Sequence, residues 1–368
     1  MKKICFILST LNAGGLENYV LRFLKYSSGK YNVTIICLSN ENVHLHNDYM
    51  ELGIKIIFIR LGYYNPVLFF HLYRLLYKNK FDVFCGFSGN LSGPSLLLSN
   101  FAKIPIRIAF YRRSSNGFKP SWLRLFYNYI CNRLVYNNAT NILSNSEYAF
   151  KVYFPSEYQN DNRFRVIKNG VDKKIFKFKT KSLENRIQLG ISTNAFVIGH
   201  VGRFDDSKNH KTIFKVANTI LNLFDEVVFV FCGMDTDSNA FIDAVSQIKF
   251  SDRIKLLGIQ KDVSKVFQLM DLFYFPSLTE GQPNALIEAM LTGLPVVASN
   301  IEPIKEALPI YAHSTLLDPL NVKYAVDIIS KLIDSPDLRS MYIHKEWAEN
   351  EFDYYKNLAL FQNVIDGY

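Results

Sequence analysis

Two tryptophans, five cysteines and seven histidines are all that 368 residues contain of those types. The cysteines (Cys5, Cys37, Cys85, Cys131, Cys232) are scattered, odd in number and never spaced Cys-x-x-Cys. That excludes a disulfide framework and a zinc ribbon, and it points to reduced, buried thiols in a cytosolic protein. No pair of histidines stands at metal-ligand or catalytic spacing. No apolar run is long enough to span a bilayer. Met1-Lys2-Lys3 before Ile4–Leu8 imitates a signal peptide, but Asn12-Ala13-Gly14-Gly15 ends it at once, so a first strand is expected. Acidic residues are scarce in one half. Residues 1–172 hold 21 Lys+Arg against 9 Asp+Glu, a net of +12, while the rest of the chain is −3. A basic half implies an anionic partner, either a membrane surface or a phosphate-bearing acceptor, or charge that serves only solubility. No nucleic-acid motif or disordered basic arm accompanies it.

Apolar residues, by contrast, make up 49% of the chain, with 30 Phe and 22 Tyr. That supports a large core and a chain of two α/β domains. Strand-like runs at Lys3–Ser9, Val33–Leu38, Lys55–Ile59, Asp82–Phe84, Ile106–Phe110, Thr140–Ser144 and Phe164–Ile167 alternate with helical spacing at Leu16–Lys25 and Val67–Tyr77. Alternation of this kind predicts a parallel sheet covered on both faces. Lys173–Asn185 reads as a polar, basic linker, and a second α/β half begins at Phe196–Gly202. Phe352, Tyr355, Leu358 and Phe361 are spaced as one buried face of a last helix.

Residues 276–300 are the most informative stretch. Leu272–Phe275 reads as a buried strand, Ser277–Gln282 as a loop, Pro283 as the first helical turn, Ala285–Leu291 as a helix stopped by Gly293, and Pro295–Ala298 as the next strand. Glu280 on the loop and Glu288 on the helix stand eight apart. A helix start binds anions, and a carboxylate one turn in can accept hydrogen bonds from two ribose hydroxyls. A dipole-favoured Glu with a surface Glu fits the spacing equally well. Gly202-Arg203-Phe204-Asp205-Asp206-Ser207-Lys208-Asn209-His210 sets two cations five apart on a strand-to-helix loop, suited to a diphosphate. Gly14-Gly15 lies between the first strand and helix, as a turn or as a ligand loop. Asp235-Thr236-Asp237 imitates a metal-binding pair but also fits a turn.

The stretch Glu280-Gly281-Gln282-Pro283-Asn284-Ala285-Leu286-Ile287-Glu288-Ala289-Met290, with Gly293 and Pro295-Val296-Val297, resembles the Glu-x7-Glu signature of retaining glycosyltransferases of family 4. It departs only at Gln282. Gly202-Arg203…Lys208-Asn209 is similar to the family's phosphate loop. Gly14-Gly15-Leu16-Glu17 resembles its first loop, and Val166-Ile167-Lys168-Asn169-Gly170-Val171-Asp172 resembles its domain-crossing segment, with Lys168 in place of Pro.

The resemblance implies the GT-B fold: Rossmann-like domains at 1–168 and 169–345 with a cleft between them, and a helix in 346–368 crossing back. It implies transfer of a sugar from a nucleotide-sugar donor, UDP-sugar favoured and GDP-sugar the alternative, to a lipid-linked or polysaccharide acceptor, with retention and without a metal or cofactor. Arg203, Lys208 and Glu280 would be catalytic. Gly14, Gly15, Gly258, Gly281, Asn284, Ala285 and Glu288 would join Arg203 and Lys208 in holding the donor. Phe110 aligns with a position where relatives often carry histidine. Arg112 and Arg113 then read as contacts for an anionic acceptor, or equally as structural residues. The aromatic and basic stretches Val67–Lys78 and Trp122–Tyr136 read as core-facing helices or as a peripheral membrane surface. The rival functions are a nucleotide-sugar isomerase, a non-catalytic partner subunit of the same fold, and a basic binding module.

Overall fold

The computed structural model describes residues 1–12, 14–39, 45–59, 65–87, 92–112, 121–176 and 182–368. The chain forms two compact units, Met1–Asn169 with Tyr355–Tyr368, and Gly170–Tyr354. In the first, β1 (Lys2–Leu8), α1 (Gly15–Tyr26), β2 (Tyr31–Cys37), α2 (His46–Glu51), β3 (Lys55–Phe58), α3 (Pro66–Asn79), β4 (Val83–Gly86), α4 (Ser92–Phe101), β5 (Ile106–Tyr111), α5 (Trp122–Asn138), β6 (Asn141–Ser144), α6 (Glu147–Tyr153) and β7 (Phe164–Val166) alternate. The strands form one parallel sheet in the order β3-β2-β1-β4-β5-β6-β7. The near-continuous apolar run Ile4–Leu8 is explained by its central place. Cys5 and Ile7 pack with Leu72, Leu76, Leu96 and Val135 of α3, α4 and α5, while Phe6 lies at a tilt against Phe23 of α1. Both faces of β1 are therefore covered.

The second unit runs α7 (Leu183–Gln188), β8 (Phe196–Val201), α8 (His210–Leu223), β9 (Val227–Cys232), α9 (Asn239–Ser246), β10 (Ile254–Leu256), α10 (Val263–Phe267), β11 (Leu272–Phe275), α11 (Asn284–Leu291), β12 (Val296–Ala298), α12 (Glu302–Ala307), α13 (Val322–Asp334), α14 (Pro336–Arg339) and α15 (Lys345–Glu351). Its parallel sheet is ordered β10-β9-β8-β11-β12. All five cysteines are free and buried.

Three expectations are corrected. The linker over Lys173–Asn185 is shorter than its polarity suggests. Phe176 is buried in the second core, and α7 already starts at Leu183 (residues 177–181 lie outside the described residues). The chain folds there because Arg186, 1% exposed, has an internal place. Its guanidinium donates to Ala195 O, to Leu269 O and to Asp271 Oδ2 at 2.7 Å, and the same Asp271 oxygen accepts from the Val197 N–H. The continuous tail helix is in fact two. Phe352 ends α15 in the second unit's core, whereas α16 (Tyr354–Asp366) puts Leu358 and Phe361 into the first unit and leaves Tyr355 half exposed. The break is where Phe352 O accepts from the Val171 N–H, an interaction between distant segments that side-chain spacing does not encode. Finally, Pro283 caps α11 rather than opening it.

The segment Asn169-Gly170-Val171 shows why its residue types stand there. A Cβ on Gly170 would lie 2.9 Å from the backbone of Tyr354, closer than side chains tolerate, so the two chain crossings pass side by side only if residue 170 is bare. The preceding Asn169 accepts a hydrogen bond from the Arg112 guanidinium within the first unit. In that unit Phe361, fully buried, meets Phe6, Tyr19, Phe23, Phe87 and Phe110. Lys2 Nζ donates to the carbonyls of Ile365 and Asp366 at 3.2 and 2.7 Å, satisfying the end of α16 and opposing its negative pole.

Candidate functional site

In a parallel sheet the strand order reverses at one place, and loops leaving the carboxyl ends of the strands on either side diverge to leave a crevice. In the second unit that place lies between β8 and β11. The loop after β8 carries Arg203 and Lys208, and the loop after β11 carries Glu280 and Gly281. The topology thus gathers residues more than 70 positions apart.

Local chemistry then fixes the two loops to each other. Asp205 accepts from the Ser207 N–H at 2.9 Å and starts a 3-10 turn over Asp206–Lys208. Asn209 ends that turn in the left-handed region, φ 59°, where Asn is tolerated better than most residues. Its side-chain amide donates to Pro276 O at 3.0 Å and to Pro319 O at 2.8 Å. The Leu278 N–H donates to Ser207 O at 2.8 Å. Asn209 is a positioning residue that the sequence flags only by sitting next to Lys208.

Within this frame Lys208 Nζ lies 2.5 Å from Glu280 Oε1, and the two side chains are 18% and 9% exposed. The ammonium also lies 5.1 Å from the Phe275 ring centroid. Gly202 is bare because a Cβ there would meet His200 Nε2 at 2.9 Å and the Lys208 stem at 3.2 Å. Arg203 is exposed one residue on. Helix α11 begins at Asn284, directly after Gly281-Gln282-Pro283, so the backbone N–H groups of Asn284 and Ala285 stand in its first turn, where no carbonyl within the helix can accept them. Glu288 is the fifth residue of that helix and half-buried.

His200, on β8, and His210, at the start of α8, have ring centroids 5.0 Å apart. His200 Nδ1 donates to Tyr274 O at 3.0 Å, since a carbonyl only accepts, which leaves Nε2 as the lone-pair nitrogen. Burial pushes His200 well below the usual imidazole range and His210 down to about 4. His210 is ringed by Phe204, Phe214, Phe231 and Phe241. Both imidazoles are neutral packing groups at neutral pH.

The remaining sequence-derived residues are placed as follows. Gly258 follows β10, at the edge of the sheet, with φ 59°. Its carbonyl accepts from the Gly233 N–H at 2.8 Å, and the Asp237 carboxylate fills the place a Cβ would take. Among the described residues no group of three or more His, Cys, Asp and Glu could hold a metal ion. Gly14 caps α1 and Gly15 is its first residue, in the first unit. The Phe110 side chain is buried between Tyr19, Phe87 and Phe361. Arg112 lies with its guanidinium 3.8 Å from the Tyr19 ring centroid. Burial pulls that guanidinium down to about 10, and one end of it bonds to Asn169. Arg113 lies outside the described residues.

Comparison with known proteins identifies the family. The family described as Glycosyltransferase Family 4 matches residues 13–174, and Glycosyl transferases group 1 matches residues 181–346. The chain is 28% identical over 291 residues to the UDP-Gal:alpha-D-GlcNAc-diphosphoundecaprenol alpha-1,3-galactosyltransferase of Escherichia coli, covering 74% of this chain and 72% of that one. It is 25% identical to the capsular polysaccharide biosynthesis glycosyltransferase CapH of Staphylococcus aureus, covering 90% and 91%. The crystal structure of Anabaena HepE in complex with UDP and glucose superposes with a TM-score of 0.82 over the full length of both chains at 17% identity. With both halves matched and the fold shared, the chain belongs to the GT-B glycosyltransferases of the group 1, family 4 type.

Proposed function

We propose that this glycosyltransferase moves a sugar, with retention of anomeric configuration, from a UDP-sugar to a hydroxyl of a lipid-linked or polysaccharide acceptor in cell-surface glycan assembly. The observation that carries the reading is the contact between Lys208 and Glu280 at the switch point of the second sheet, beside the start of α11. A cation and a carboxylate held together there suit the two ends of one ligand, a diphosphate and the sugar it carries.

Arg203 and Lys208 bind the departing diphosphate, helped by the first-turn N–H groups of α11 next to Gly281, Asn284 and Ala285. Glu288 accepts from the ribose hydroxyls, and Glu280 contacts the transferred sugar. The bond from the anomeric carbon to the diphosphate oxygen breaks as the bond to the acceptor oxygen forms on the same face. The acceptor's proton passes to a donor phosphate oxygen. Positive charge from Arg203, Lys208 and the helix start serves where other enzymes use a metal, so turnover survives chelation. Gly258 approaches the base. The lipid-linked acceptor is supported by the Escherichia coli relative, whose name specifies a diphosphoundecaprenol substrate, and the uridine donor by that same name and by the UDP bound to HepE.

Thermal unfolding with UDP, GDP and ADP tests the donor. A nucleotide at 100 times its dissociation constant stabilises the folded state by about 2.7 kcal/mol. A shift with UDP alone is expected. A shift with GDP alone replaces the donor class, and no shift with any nucleotide refutes the donor site in favour of a non-catalytic subunit.

A further inference from the structure

We infer that the open edge of β3, with the flank of α3 beside it, binds an extended acidic segment of a partner protein as one more strand of the first unit's sheet. β3 is the end strand of that sheet, and among the described residues no strand pairs with its outer side. The Ile59 N–H, just past β3, donates to Cys37 O on β2 at 2.9 Å. Backbone groups alternate sides along a strand, so the N–H and C=O of Phe58 and of Ile56 point away from β2. Such an edge is a template on which a further strand can form main-chain hydrogen bonds.

A cleft of about 570 Å³ runs along this edge. Ile57, Leu68 and Leu75 give it an apolar lining, and His71, Arg74 and Lys78 add nitrogen-bearing side chains from α3. Leu68, His71, Leu75 and Lys78 follow one another at spacings of three, four and three, so a single flank of α3 faces the strand edge. On another side α3 packs against α4, and a Cβ on Gly93 of α4 would run into the backbone of Cys131, so α5 rests directly on α4. Helix α3 is thus the end member of its layer, as β3 is of the sheet.

Charge and spacing select the occupant. Neither β3 nor α3 contains an Asp or Glu. Arg74 and Lys78 are exposed, and among the described residues neither has a carboxylate partner. Along α3 the steps from His71 to Arg74 and from Arg74 to Lys78 rise by about 4.5 and 6 Å. Same-face side chains of a strand recur about every 6.6 Å. Alternate carboxylates on an added strand therefore come opposite these three side chains in turn. A second copy of this chain would bring the same cations against themselves. A lipid headgroup would leave the backbone groups of Phe58 and Ile56 unmatched. The surface lies wholly within the first unit and uses none of the donor residues, so it stands or falls separately from the proposed chemistry.

Full-length protein is titrated into a fluorescein-labelled peptide of alternating Glu and Val and followed by anisotropy at low salt. Binding is expected. None is expected for a peptide of alternating Lys and Val, or for the Glu-Val peptide N-methylated at every amide, which keeps its charge but cannot donate to a strand edge. Hydrogen exchange over residues 55–59 should slow by about tenfold in the complex. The double variant Arg74→Glu, Lys78→Glu should bind about tenfold or more weakly, with unchanged thermal unfolding because both side chains are exposed. The inference is overturned if the wild type ignores the Glu-Val peptide up to about 1 mM, or if exchange slows elsewhere and not over residues 55–59. Equal binding of the N-methylated peptide also overturns it, because only an anion site would then be left. So does a double variant that binds as tightly as the wild type. A wild type that passes over the peptide but binds phosphatidylglycerol vesicles would assign these cations to lipid and overturn it too.

Discussion

The Lys208–Glu280 pair offers a quantitative test of the site. At 2.5 Å and an effective dielectric near 20, the gross Coulomb attraction is about 7 kcal/mol. Removing two mostly buried ions from water offsets much of that, leaving a net coupling of about 1.5–3 kcal/mol, as for other charged hydrogen bonds. If Lys208 also meets the charge that develops on a leaving diphosphate, Lys208→Ala should lower kcat by about 10²–10³, equal to about 2.7–4 kcal/mol of transition-state stabilisation. Glu280→Gln should lower kcat comparably, because it removes the group that orients the ammonium as well as a sugar contact. The double variant should cost clearly less than the sum of the singles, since each single already breaks the shared contact. The assay is donor turnover with kcat and KM separated, run beside thermal unfolding. Near-wild-type kcat in both singles would remove the pair from the chemistry. Fully additive losses would show that the two act independently and that their contact is incidental.

Three further outcomes follow from geometry. Arg186→Ala takes from the buried Asp271 carboxylate its guanidinium partner, and should destabilise the second unit by about 3–5 kcal/mol in urea unfolding. Gly170→Ala sets a Cβ against the Tyr354 backbone and should cost about 1–3 kcal/mol by the same measure, unlike a substitution at the exposed Lys173. Stability should also fall on acidification. His210 and His344 are both held down to about 4 by burial, below the usual 6.5, so the unfolded chain binds their protons first. Their contribution is intact above pH 6.5 and is lost as pH drops from there toward 4, by about 3 kcal/mol for each. Replacing His210 by Phe, which its ring of phenylalanines can accommodate, should reduce the slope of stability on pH across that window, leaving the share of His344, in urea titrations at pH 7.5, 6 and 5. An unchanged slope would refute the linkage.

Much of this molecule was legible in residue order because the relevant physics is local. A run such as Ile4–Leu8 with no polar alternation can only be a strand covered on both faces, and Gly14-Gly15 ahead of Leu16 and Glu17 marks where a helix begins. The long match from Glu280 to Val297 placed loop, helix and strand within a residue or so. What it could not place was contact. That Lys208 touches Glu280 depends on strand order, which puts β8 beside β11 although β9 and β10 come between them in the chain. Arg186 stands just past the polar Lys173–Asn185 stretch, and nothing near it in sequence announces Asp271, 85 residues away. The Trp122–Tyr136 stretch read as a core-facing helix or as an interface. Periodicity gives the stripe, but only the packing of α4 under α5 decides which way it faces. The sequence alone determined the residue chemistry, the helix and strand periods and the family signature, because these are properties of neighbours. The tertiary structure decided which distant charges meet, where the tail breaks at Phe352 and which apolar faces remain uncovered, because those depend on sheet topology and close packing between segments that the chain separates.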